Sequence, residues 1–542
     1  MRMELIPIPK AYKPASGTLA LGSAFGMAMD TAAERGLTSR ERDALVDWAA
    51  QQTGLTAIAD GAAGNGRPTV RLSLVALRKD ETAESYRLTV SETDVLIEAG
   101  AAAGLQYGLT TLGQLLKWDG SRHHVRALCC CRIEDTPRFA WRGLMLDSSR
   151  HFQSVSTIKR VIDLLASLKL NRLHWHLCDD EGWRLEIERY PRLTEVAAWR
   201  GSGADREGGY YTRADVAAVE SYAADRGVIV VPEVEMPAHC NAALVAYPSL
   251  SCSGEAIPVG GRGWDAYTAK AGRRVFCAGK PEVEQFLLNV IDEVASMFRS
   301  PYIHLGGDER PAGLWEQCPH CQQAMKTHGI ANEADLQTWF MKQITERVQA
   351  KLPLETIVWA DNLGPGMPSG QIVQGWHPGQ SAKAAMLGHR TINSNHEWVY
   401  LDYPWSEAVA CEKPDWMIVL PLEKAYHFEP IPDGLDAQLH DRVLGSEMAM
   451  WTEFVPTEAK LFEHLLPRLA AFSEALWSPR YGRSFDGFLH RLGVWRTMRA
   501  GLEPRLAEGL ADWLALAPRM DLPHSQASTS DTSTDGVALG RG

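Results

Sequence analysis

The sequence predicts an α/β protein: a (β/α)8 TIM-type barrel, preceded by a small α+β domain and followed by a helical segment. Three observations carry that expectation. From Pro137 onward, short apolar runs alternate with longer helical stretches. The runs are continuous rather than alternating, as in parallel strands buried on both faces. Each run is followed by polar or aromatic residues, at the end of the strand where barrel active sites collect.

The small domain is expected over residues 1–135. A helical stretch at 39–52 lies beside alternating segments at 68–77 and 94–99, and 101–116 reads as a helix rich in small residues. The barrel is expected over 136–480. Its eight strands are read at 142–147, 172–178, 227–234, 302–306, 356–360, 371–376, 390–394 and 442–450. Helices are expected at 155–169, 213–226, 282–299, 333–350, 380–388 and 457–474, with Ser154 and Thr212 as N-caps. The stretch 395–440 is too long and irregular for a plain connection. With Trp398, Trp405 and Trp416 it reads as an ordered functional loop. A helical segment over 481–522 and a disordered polar tail over 523–542 complete the expectation.

The composition is that of a soluble globular protein, with 45% hydrophobic and 23% charged residues in 542. The net charge of −12 argues against nucleic acid or an anionic membrane as a partner. The start, MRMELIPIPK, lacks a signal peptide's apolar core, and no run approaches the ~20 residues that span a bilayer. A cytoplasmic location is expected for the chain as given, with export open if a leader was removed. Consecutive Cys129, Cys130 and Cys131 suit a reduced compartment. Cys318 and Cys321 form a CxxC, but no second CxxC or nearby His pair completes a zinc pattern, and no metal is assigned. Cys252 and Cys277 bracket a Gly-rich loop and could pair under oxidant. The unusual number is 18 Trp against 14 Tyr and 13 Phe. Indoles fill cores, and they also offer flat, half-apolar faces to sugar rings.

The strand ends collect one kind of chemistry. In order they lead into Asp147 and Arg150; Asp179, Asp180 and Glu181; Glu233, Glu235 and His239; Asp308 and Glu309; Trp359 and Asp361; Trp376; Tyr400 and Asp402; and Trp451 and Glu453. Together these predict an acidic, Trp-lined cleft. No dinucleotide fingerprint, P-loop or GxSxG elbow accompanies it, and no cofactor is expected. His174 and His176 alternate as a metal-binding strand pair would, although the same period places both inside a barrel. Carboxylates and indoles without a cofactor suit glycosidic bond cleavage, which needs an acid for the leaving oxygen and stabilisation of an oxocarbenium-like centre. Adjacent Asp308 and Glu309 repel, so one should hold its proton longer. The expectation is a protonated Glu309 beside an ionised Asp308, with Gly306-Gly307 leaving room for a ligand.

These residues resemble glycoside hydrolase family 20, the β-N-acetylhexosaminidases. The matching segments are 141–152, 169–183, 208–212, 232–239, 304–309, 400–402 and 451–453. The resemblance implies an exo-acting retaining enzyme that removes terminal N-acetylglucosamine or N-acetylgalactosamine. Its mechanism would be substrate-assisted, with the 2-acetamido oxygen attacking C1 to give an oxazolinium intermediate. By the same resemblance Glu309 is the general acid and then base, Asp308 holds the acetamide N–H, and Tyr400 donates to its oxygen. Trp359, Trp376 and Trp451 wall the acetamide pocket, while Arg150, Asp402 and Glu453 bind sugar hydroxyls. Asp179 and His239 support the acidic pair from behind. The chain departs from the family pattern at Glu235, where Asp is usual, at Ala238, where Gly is usual, and at Cys178, where Ser or Thr is common. Alternatives are a lacto-N-biosidase-like enzyme releasing a disaccharide, a catalytically silent glycan-binding protein, and a metal-dependent hydrolase using His174 and His176.

Overall fold

The computed structural model describes residues 4–59, 67–116, 126–201, 203–257, 274–364, 366–407, 409 and 414–502. Alternating burial builds the first layer. The strand Asp94–Ala99 buries every second residue, as does Tyr86–Val90. With five others they form a mixed seven-stranded sheet in the order Ala11–Leu21, Arg126–Asp135, Tyr86–Val90, Asp94–Ala99, Thr69–Leu74, Ala24–Met29, Thr56–Ala59. Helices Ser39–Thr53 and Ala102–Leu115 pack on each other and on the sheet. A capping box between Thr38 and Glu41 starts the first helix. The small residues of the second have a packing reason: a Cβ on Gly108 would lie 2.4 Å from Ile97, and one on Gly113 2.6 Å from the Gln52 carbonyl.

The second unit is a closed barrel of eight parallel strands: Trp141–Asp147, Arg172–His176, Ile229–Glu233, Tyr302–His304, Glu355–Trp359, Ile372–Gly375, Arg390–Asn393 and Val443–Met450. Every predicted run contributes one strand. The first is buried at all of its positions, the signature expected of a parallel strand covered on both faces. Ser154 caps the helix Val155–Ser167, and Thr212 forms a capping box with Asp215 at the helix Arg213–Ala224. The expected helix at 457–474 is two helices, Glu458–Leu465 and Arg468–Trp477. Pro467 lies between them, and having no N–H to donate it cannot continue the first. The helix Phe485–Leu502 buries Phe488, Leu492 and Trp495. The rest of the expected C-terminal helix, the tail, Trp118 and Trp513 lie outside the described residues. No helix among the described residues is long and apolar enough to cross a membrane.

The two units share a charged seam at the N-terminal end of the barrel. Buried Arg142 grips Glu84 at 2.7 and 3.0 Å, and Asn171 donates to the same carboxylate at 2.9 Å. Buried Lys169 reaches Asp135 at 3.0 Å and the Tyr86 hydroxyl at 2.8 Å, and Trp477 donates to Asp135. The Lys169-Leu-Asn171 segment therefore joins domains at the end of the barrel remote from the strand-end cleft.

Inside the barrel, His174 and His176 both point to the axis, as period two requires. His174 contacts Glu447 at 2.7 Å and Glu233 at 3.1 Å, while His176 is hydrogen-bonded to Glu233. Burial pulls both imidazole pKa values down, but Glu447 and Glu233 raise His174 to about 9, and Glu233 and Asp179 raise His176 to about 10. Both imidazoles are thus ion-pair partners of buried carboxylates in the core. Trp141 and Gln374 complete the network by donating to Glu447.

Candidate active site

At the C-terminal end of the barrel is a cleft of about 500 Å³. Arg150, Asp179, His239, Asp308, Glu309, Trp359, Trp376, Tyr400, Trp451 and Glu453 line it, so ten of the eleven predicted site residues face one space. The eleventh, Asp402, is buried and is not among the lining residues. Asp402 is 4% exposed and neither of its carboxylate oxygens has a hydrogen-bond partner, so burial drives its pKa well up.

The acidic pair sits on a turn held from several sides. Gly306 and Gly307 have φ of +63° and +111°, which lets the chain turn directly after the fourth strand. The Gly307 N–H donates to Glu235 at 2.9 Å, and its carbonyl accepts from Gln337 at 2.9 Å. The Glu309 N–H donates to Asp361 at 3.1 Å. The space above Gly306 is thus not open to a ligand, contrary to expectation, because the Glu235 carboxyl fills it: a Cβ there would lie 1.8 Å from Glu235 Oε1. Cys178 accepts the Glu235 backbone N–H at 3.3 Å. Two of the departures from the family pattern therefore meet behind this turn. His239 and Glu309 both adopt positive φ without being glycine, at +47° and +43°. Such strain costs roughly 1–3 kcal/mol per residue and concentrates at functional sites.

Behind the pair runs the expected support chain. Asp179 Oδ1 lies 3.0 Å from His239 Nδ1, and His239 Nε2 lies 3.5 Å from Asp308 and 3.6 Å from Glu309. Burial opposes charge on His239, but Asp179 and Asp308 outweigh it and hold the imidazole well above its usual pKa. Arg150 anchors the other side. It contacts Asp179 at 2.8 Å, Glu181 at 2.7 Å, Asp147 at 3.3 Å and Glu453 at 3.6 Å, and its guanidinium lies over Trp451.

The two adjacent carboxyls differ in burial. Asp308 is the buried member, with 13% of its side chain exposed against 41% for Glu309. Burial raises Asp308 to about 7, and the neighbouring Asp361, Glu309 and Glu233 carboxylates push the same way against His239. Burial and these carboxylates thus favour the protonated form of Asp308 near neutrality. A ligand N–H or a developing positive charge beside it would draw that proton off.

The tryptophans divide into walls and filler. Trp359 donates to Glu233 at 2.9 Å, and its ring centre is 6.2 Å from that of Trp451. Trp376 donates to Asp361 at 2.6 Å. Tyr400 lines the same pocket with its ring tilted 59° to that of Trp451, and its backbone pairs with Ala449 of the eighth strand. Trp48, Trp141, Trp175 and Trp495 are buried in cores. Trp405 is buried against His464, and Trp398 packs with Phe428 under Lys424, so both fill the long loop. His377, His396, Tyr403 and Trp416 also line the cleft, and the sequence reading gave them no role there. Trp416, 51% exposed, was named only as part of the loop. These four come from connections without periodic pattern, where only the surplus of aromatic residues hints at a surface.

Comparison with known proteins points to one family. The model for the glycosyl hydrolase family 20 catalytic domain matches residues 139–480, and that for domain 2 of the same family matches 2–136. A β-hexosaminidase of Porphyromonas gingivalis is 37% identical over 426 residues, covering 76% of this chain and 52% of the relative, about half its length. One of Akkermansia muciniphila is 34% identical over 418 residues, covering 76% of this chain and 82% of the relative. Among solved structures, the β-N-acetylhexosaminidase of Streptomyces coelicolor A3(2) superposes with a TM-score of 0.77 at 31% identity, covering 92% of this chain and 96% of that one. The exo-β-N-acetylglucosaminidase of Vibrio harveyi in complex with N-acetylglucosamine gives 0.80 at 31%, covering 92% and 77%. The protein belongs to glycosyl hydrolase family 20 and is a glycoside hydrolase.

Proposed function

We propose that the protein is an exo-acting retaining β-N-acetylhexosaminidase, removing terminal N-acetylglucosamine or N-acetylgalactosamine from glycans or chitooligosaccharides. One observation carries this reading: Asp308, Glu309 and Tyr400 face a single cleft walled by Trp359, Trp376 and Trp451. The exposed Glu309 carboxyl protonates the glycosidic oxygen while the substrate's amide oxygen attacks C1. An amide oxygen is a poor nucleophile until its N–H is held and its conformer fixed. Asp308 holds that N–H and faces the charge of the oxazolinium, Tyr400 donates to the amide oxygen, and the indoles confine the acetyl group. Once Glu309 has given up its proton, the His239 imidazolium 3.6 Å away favours the carboxylate, which then takes a proton from the attacking water. Arg150 and Glu453 bind sugar hydroxyls, and Asp402 another.

The test is Glu309→Gln assayed on paired glycosides. If Glu309 is the acid, the loss in kcat/KM is orders of magnitude larger for an alkoxide leaving group than for an activated nitrophenoxide, which departs without protonation. Equal loss on both overturns the assignment.

A further inference from the structure

Four cysteines far apart in sequence converge beside the active site. Cys252 and Cys277 lie in the long connection after the third barrel strand. Cys318 and Cys321 lie after the fourth, at the start of the helix Pro319–His328. Their sulfurs all lie within 4.8 Å of one another. Cys277 Sγ is 3.5 Å from Cys318 and 3.6 Å from Cys321, and Cys252 Sγ is 3.9 Å from Cys321. Cys277 and Cys321 each neighbour two other sulfurs, so the group is a cluster and does not divide into two pairs. A tetrahedral ion with metal–sulfur bonds of about 2.3 Å sets its sulfurs about 3.8 Å apart. A disulfide needs about 2.05 Å.

The backbone is built to the same end. Ser251 and Phe276 pair across the loop, and the Cys277 N–H donates to the Leu250 carbonyl at 3.0 Å, placing Cys252 beside Cys277. Cys318-Pro-His-Cys321 has the C-x2-C spacing of a metal knuckle, with Pro319 opening the helix. The second corner, Cys277-Ala-Gly279, packs directly on it. A Cβ on Gly279 would lie 2.2 Å from the His320 carbonyl group and 2.6 Å from the Cys321 nitrogen, so glycine there lets the two corners close. Three of the four cysteines are buried, and Cys252 and Cys318 border an open recess of about 350 Å³ that gives an ion a way in.

The geometry points to a structural zinc site with Cys252, Cys277, Cys318 and Cys321 as its four thiolate ligands, a site independent of the glycosidase reading. Four protein ligands leave no open position, which is the character of a structural and not a catalytic zinc centre. The ion would tie together the two connections that carry the catalytic cleft. On one side, Phe276 donates to the Pro237 carbonyl at 2.9 Å, two residues before His239. On the other, the chain runs from Asp308 and Glu309 through Trp315, whose indole donates to the Phe276 carbonyl at 3.0 Å. Thiols must ionise to bind, so loading releases protons and weakens as pH falls.

The test is elemental analysis of the full-length protein purified under reducing, chelator-free conditions. About one zinc per chain is expected. Reduced, metal-free protein given cobalt should show thiolate-to-cobalt charge transfer with the intense visible bands of a tetrahedral site, and Cys318→Ser should lose both signals. If reduced wild-type protein takes up neither zinc nor cobalt, the proposal is overturned whatever the variant does. Disulfides among these four cysteines in freshly purified protein, or stoichiometric iron in place of zinc, overturn it equally.

Discussion

Replacing Gly306 with alanine tests whether the turn before the acidic pair is set by Glu235. The new methyl would lie 1.8 Å from Oε1, 2.2 Å from Cδ and 2.4 Å from Oε2 of Glu235, at a residue with φ of +63°. The left-handed conformation costs an L-residue roughly 1–2 kcal/mol. Moving the Glu235 carboxyl breaks its 2.9 Å bond from the Gly307 N–H and leaves buried polar groups unsatisfied, for a further ~1–3 kcal/mol. The expected destabilisation is therefore about 2–5 kcal/mol. The same displacement shifts Asp308 and Glu309, and a misplacement near 1 Å costs on the order of 100-fold in rate. Urea denaturation and kcat/KM on a nitrophenyl N-acetylglucosaminide read the two effects separately. Gly364→Ala is the control, since a Cβ there meets nothing within 4 Å. A Gly306→Ala enzyme with wild-type stability and kcat/KM refutes the reasoning.

Further expectations follow from other parts of the site and the seam. Asp308 must be ionised to hold an amide N–H, and its raised pKa means it is protonated below about 7, so kcat/KM should fall as pH drops through that value. Asp361 raises that pKa by its negative charge, so Asp361→Asn should move the acid limb to lower pH; an unmoved limb in the pH–rate profile contradicts the assignment. Trp416→Ala should raise KM for chitooligosaccharides several-fold while leaving a monosaccharide aryl glycoside nearly unchanged, because the exposed indole lies at the mouth and not in the acetamide pocket. Lys169→Met leaves Asp135 buried without its cation and should cost about 3–5 kcal/mol in urea denaturation with kcat/KM intact in the folded enzyme. A fall in kcat/KM matching the loss of stability would place the seam in the active-site account instead.

The barrel was legible because its signal is local. Continuous apolar runs name parallel strands without reference to distant residues, and the side chain that follows each run marks the cleft. The failures come from long-range packing. Burial could not be apportioned between Asp308 and Glu309 from two adjacent letters. The space above Gly306 could not be seen as filled by a residue 71 positions earlier. Four cysteines in two separate connections showed only one recognisable spacing, and the walls supplied by His377, His396 and Tyr403 come from loops without period. Pro467 is a different case, since the break it makes in the helix was visible in sequence.

The most direct test of the central claim uses the substrate as the probe. Aryl glycosides carrying acetyl, fluoroacetyl, difluoroacetyl and trifluoroacetyl groups on the 2-amino nitrogen present amide oxygens of falling nucleophilicity in nearly the same volume. If the amide oxygen attacks C1 while Asp308 holds its N–H, kcat should fall steeply and steadily along the series. A flat series, with the trifluoroacetyl substrate turned over as fast as the acetyl one, would contradict substrate-assisted catalysis in this cleft.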